Sequence, residues 1–146
     1  MCLSEKYDIK PDKNASGYAF KVFIRNRRGV LYFPYYPLKP FTGNFRISKN
    51  RWHSASVTTV SPYISSKYFK YKSGFHCFDS MAPALDLAEA LQPSEFDVDS
   101  HRAVVLRVKV KDRLAQGRWS GGNVSVYRHM FIPKGAKDLS RFVRIA

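Results

Sequence analysis

Apolar and polar residues alternate most regularly in HRAVVLRVKV (101–110), with Val104, Leu106, Val108 and Val110 on one side and Arg107 and Lys109 on the other. A period of two predicts a strand with one buried face and one basic face. GYAFKVFI (17–24) is rich in aromatic and branched residues and predicts an earlier strand. NRRG (26–29) predicts a turn, with Gly29 free to take positive φ, and VLYF (30–33) the returning strand of a hairpin. FRIS, SASVTTV, GFHCF (74–78) and VSVYRHMFI (124–132) predict further short strands, and RFVRI a last one. In VSVYRHMFI, Val124, Val126, Met130 and Ile132 fall on one side. SPYISSKYFKY fits neither period. GRWSGGN predicts a turn.

One segment has the helical period. Leu85, Ala88 and Leu91, with Met81 and Ala84, form an apolar stripe, and Asp86 and Glu89 lie off it. Asp79 or Ser80 supplies an N-cap, Pro83 falls in the first turn, and Pro93 stops the helix. Together these elements predict an α+β fold: a mostly antiparallel β-sheet with one principal helix at about 79–92. The 146 residues fit a single domain, 1–146, with residues 1–16 expected as a loosely attached N-terminal segment.

Charge changes the picture. The net charge is +14, and it comes in blocks. Residues 13–78 hold twelve Lys or Arg and no Asp or Glu; residues 79–99 hold six acids and no Lys or Arg; residues 100–146 hold eleven bases against two acids. Such a surface attracts polyanions: nucleic acid or an acidic protein. No apolar run reaches the roughly 20 residues of a membrane span, so no membrane partner is expected. The two cysteines, Cys2 and Cys77, make neither a disulfide framework nor a zinc site, and free thiols suggest the cytoplasm.

Catalytic chemistry finds little support. In a strand, His76 and Cys77 point to opposite faces and cannot pair as imidazole and thiolate. His76 is instead expected to donate to a nearby carbonyl at the strand–helix junction. His53, His76, His101 and His129 have no ligand spacing, so neither a metal nor a cofactor is expected. There is no phosphate-binding glycine loop.

Cations interleaved with aromatics carry the remaining signal. The stretch 32–53 mixes six Tyr or Phe with Trp52 and with Lys39, Arg46, Lys49 and Arg51, as in surfaces that stack bases and track phosphates. Arg46, Lys49, Arg51 and Trp52 are therefore the first candidate binding residues. Arg25, Arg27 and Arg28 at the hairpin tip form a second group, and Arg107 and Lys109 a third. The loop cluster is expected to dominate, because it combines charge with stacking surface.

Met1-Cys2-Leu3, YAFKVF (18–23), Gly74-Phe75-His76-Cys77-Phe78, ALDLAEAL (84–91) and VVLRVKV (104–110), in that order, resemble a loose group of small phage and bacterial proteins. The aromatic, proline-rich insertion before position 70 and the strong positive charge depart from that layout. The resemblance implies an architecture and a mobile-element origin, without an activity. The leading expectation is a basic binding protein that engages nucleic acid or a nucleoprotein complex, as a host-takeover or defence-inhibiting factor acting in the host cytoplasm if phage-encoded. The alternatives are an ADP-ribosyltransferase-like enzyme using His76, against which the acid-free strand 124–132 counts, and a virion module binding an acidic protein.

Overall fold

Two long strands organise the molecule. In the computed structural model, which describes residues 3–34, 46–61, 63–64, 67–91, 101–119 and 121–140, β2 (Asp12–Asn26) and β11 (His101–Trp119) run antiparallel from His101↔Asn26 to Arg113↔Asp12. Before β2 comes β1 (Glu5–Lys6). Between β2 and β11 come β3 (Leu31–Tyr32), β4 (Arg46–Ile47), β5 (Trp52–Ser54), β6 (Thr58–Val60), β7 (Tyr63–Ile64), β8 (Lys67–Tyr68), β9 (Tyr71–Ser73), β10 (Phe75–Phe78) and helix α1 (Met81–Ala90). β12 (Gly122–Phe131) follows β11. The fold is α+β, mostly antiparallel sheet with one helix among the described residues.

The pairings close on themselves. β12 lies on the second edge of β11, β10 lies on β12, and β10 returns to β2 through Phe78↔Phe20. Past that bridge, β3 takes over the edge of β2, with β4 beyond it, and β5 takes over the edge of β12. One apolar cluster fills the inside of this circuit: Ala19 and Phe23 from β2, Leu31, Ile47, Cys77, the alternate residues Val104 to Val110 of β11, and Met130 with Ile132. A second cluster lies outside, where α1 buries Ala84 and Ala88 against Val22, Ile24, Val105, Val124 and Val126.

Several expectations are corrected. β11 does not stop at Val110; it continues to Trp119. At Asp112 the backbone takes φ 60° and the register to β2 shifts between Lys111 and Arg113; the register to β12 shifts between Arg113 and Ala115. A bulge of this kind resets which side chains face the core. Leu114 therefore joins the outer cluster although Val110 is inside. Val124 and Val126 do not share a side with Met130 and Ile132 either: the first pair is outside and the second inside. Arg128 sits at this switch and donates from Nε to Asp112 Oδ2 at 2.7 Å.

The N-terminal segment is not loose from Leu3 onward. Leu3 is fully buried, Ser4 and Tyr7 donate their N–H groups to the Arg118 and Gln116 carbonyls, and β1 pairs with β11. The helix is shorter than expected. Ser80 holds the N-cap position without a side-chain bond. Asp79 uses its carboxylate elsewhere, accepting from Ser125 Oγ at 2.7 Å and Gln116 Nε2 at 2.9 Å. Met81 and Leu91, expected in the apolar stripe, are exposed; Leu85, Ala84 and Ala88 pack as expected, and Leu87, off the stripe, packs with them. Residues 35–45, the acidic stretch 92–100 and the RFVRI strand lie outside the described residues.

Candidate nucleic-acid interface

The helix covers only part of the outer face of the sheet. On the rest, register aligns four side chains from four strands. Tyr18 on β2 lies opposite Lys109 on β11, Lys109 opposite Phe131 on β12, and Phe131 opposite Trp52 on β5. Two residues from Lys109 along β11, on the same face, stand Arg107 and Lys111. All three cations are exposed, as are Tyr18 (52%) and Trp52 (39%), and Phe131 is half-buried.

Cations and rings are in contact across this face. The Arg107 guanidinium is 3.9 Å from the Tyr18 ring centroid, Lys111 Nζ 4.1 Å from that of Trp52, and Lys109 Nζ 5.6 Å from that of Phe131. Trp52 and Phe131 pack with centroids 5.5 Å apart. The ring quadrupole attracts each cation and orients it without neutralising it, so the charge stays available to an anion. At strand spacing of about 4.8 Å, the row crosses roughly 15 Å of sheet.

The sequence groups are rearranged by this geometry. Arg107 and Lys109 share a face with Trp52. Alternation along β5 sends Arg51 and His53 the other way, so Trp52 is separated from the cations that flank it in sequence. Arg46, Lys49 and Arg51 line a groove of about 630 Å³ with His53 and with Gly29 and Val30 of the hairpin turn. Arg27 and Arg28 are exposed on that same turn, and Arg25 is half-buried beside it. Sequence reasoning missed Tyr18, Lys111 and Phe131. Their only signal was alternation along strands whose pairing partners were unknown.

His76 and Cys77 belong to the framework. Cys77 is fully buried in the inner cluster, and burial pushes its thiol up to about 11. His76 faces the other way, 6% exposed, and burial holds its imidazole down at about 3, with the Lys21 charge acting in the same direction. Its Nδ1–H donates to the Gly74 carbonyl at 3.1 Å, and the Tyr71 hydroxyl donates to Nε2 at 2.9 Å. Both ring nitrogens are thus engaged within the fold. No three His, Cys, Asp or Glu side chains converge among the described residues. No protein-family description, curated protein or solved structure matches this chain.

Proposed function

We propose that the protein binds single-stranded nucleic acid on the outer face of β2, β11, β12 and β5. The row Tyr18–Lys109–Phe131–Trp52, flanked by Arg107 and Lys111, is the observation that carries this reading. Every base offers a π-face to a ring or a guanidinium plane, while lysines meet the phosphates. A duplex hides its base faces, so a surface of rings favours an unpaired strand. The charge of +14 adds affinity through release of counterions. The protein acts in the cytoplasm, that of the host if phage-encoded, on nucleic acid or a nucleoprotein complex as a takeover or defence-inhibiting factor.

Fluorescence anisotropy with labelled oligonucleotides at ~50 mM salt tests the reading. Removing the rings with Tyr18→Ala and Trp52→Ala should cost about 1–3 kcal/mol for each stacked base. Replacing Arg107, Lys109 and Lys111 with Gln should lower the salt slope by about one unit for each lost phosphate contact. An unbound oligonucleotide at low salt sinks the proposal. Oligonucleotide binding that needs the three cations but ignores the rings would point to phosphate attraction alone and overturn the stacking row.

A further inference from the structure

The groove beside β5 carries a charge that the sheet face does not use. Arg46, Lys49 and Arg51 line it, and the sequence places no acid between positions 13 and 78. Its walls are fixed before anything binds. Asn50 takes φ 63° and donates its N–H to the Ile132 carbonyl at 2.7 Å, tying the 48–51 loop to the end of β12. His53 Nε2–H donates to the Ser48 carbonyl at 2.8 Å across the same loop. On the hairpin side, Asn26 Oδ1 accepts from the Arg28 and Val30 N–H groups, and Gly29 takes φ 84°. Cations on a fixed backbone lose less entropy on binding an anion than cations on a loose loop. A volume of about 630 Å³ lies within the range of ligand clefts, about 300–1,000 Å³.

β5 joins the two surfaces. Trp52 projects onto the sheet face, and Arg51 and His53 on either side of it line the groove. A strand leaving the ring row past Trp52 therefore crosses β5 and meets three cations in a cleft with few ring faces. From this we infer that the groove is a second subsite for the same bound strand, taking its phosphodiester backbone while the sheet face takes its bases. This rests on the sheet-face reading. It adds that the site extends over β5, with Arg46, Lys49 and Arg51 as its phosphate-binding residues.

The test is dependence on length. Oligo(dT) of ~4 nucleotides fills the sheet face, and one of ~12 also reaches the groove. In a variant carrying Arg46→Gln, Lys49→Gln and Arg51→Gln, the long oligonucleotide should lose at least ~10-fold more affinity than the short one, with a salt slope smaller by about two units. Arg51→Gln alone should show the same bias more weakly, and circular dichroism melts should confirm that both variants fold. Trp52→Ala should weaken both lengths equally. Equal losses at both lengths in the triple variant, or no loss for the long one, overturn the inference while Trp52→Ala still reports on the sheet face. If neither length binds wild-type protein, both readings fall.

Discussion

The Tyr71 hydroxyl lies 2.9 Å from His76 Nε2 and accepts the Leu3 N–H at 2.9 Å, so a single phenol ties the N-terminal segment to β10. With its proton donated to Nε2, the imidazole is neutral and carries its own proton on Nδ1, which Gly74 accepts. Protonating His76 would reverse the Tyr71 bond, forcing the phenol to accept from Nε2–H, and place a charge beside Lys21 in the interior.

Acid should therefore unfold the protein through His76. Its pKa is lowered from 6.5 to about 3 in the folded state, so the unfolded chain binds the proton first. The stabilisation is complete above pH 6.5 and is lost as pH falls toward 3, at roughly 1.4 kcal/mol per pH unit in that window. Urea titrations between pH 6.5 and 4.5 should show this slope. His76→Gln should flatten it by about one proton whatever its absolute stability. An unchanged slope in that variant would assign the acid sensitivity to other groups.

Lys21 should make the protein more stable in mild alkali. Its amine is buried, donates to the His76 carbonyl at 2.6 Å and lies 5.6 Å from the Phe33 ring centroid. β10 and β2 meet only at Phe78↔Phe20, so the amine supplies the donor that the ladder does not extend to give. Burial lowers its pKa below 10.5, so stability grows as pH rises from that lowered value toward 10.5. Cys77 acts oppositely: its raised pKa removes stability as pH climbs from 9 toward 11. Thermal melts of wild type and Lys21→Met compared from pH 7 to 10.5 isolate the lysine. Lys21→Met should abolish the rise there and be at least as stable as wild type at pH 7, since desolvating a charge costs more than about 1 kcal/mol of hydrogen bond.

Gly117 should be the least replaceable of the described glycines. A β-carbon there would run into the Glu5 carbonyl oxygen and meet Leu3 Cδ1 at 3.1 Å, where β1 lies against β11. Gly117→Ala should cost about 2 kcal/mol or more and expose the N-terminal segment to protease. Gly135→Ala, with nothing within 4 Å, should stay within about 0.5 kcal/mol. Equal stability of the two variants would show that residues 3–7 are not held along β11.

How much was legible followed the range of the interaction. The opposite facing of His76 and Cys77, the buried valines of β11 and its basic face all follow from a period of two within one strand. The Asp112 bulge was hidden, because a left-handed residue inside KVKDRL leaves no mark except an acid among bases, and it carries Leu114 to the face opposite Val110. The ring row was hidden for another reason. Tyr18, Lys109, Phe131 and Trp52 come from four separated segments, and only their pairing registers align them. The 32–53 stretch drew notice through Trp52, yet alternation along β5 divides that tryptophan from Arg51 and His53.

Trp52 should report binding directly. It is 39% exposed beneath Lys111, whereas Trp119 is half-buried against Phe78 with centroids 6.0 Å apart. In Trp119→Phe protein all indole emission comes from Trp52. Adding oligo(dT) should quench it, because a base stacks on the indole as Lys111 turns to a phosphate. Raising salt should reverse the quench as counterions return to the strand. Lys111→Ala should alter the emission of the free protein, by removing the cation at 4.1 Å, and should leave quenching by the base in place. Anisotropy that reports binding while Trp52 emission stays constant would move the bound strand off the sheet face, toward the groove lined by Arg46, Lys49 and Arg51.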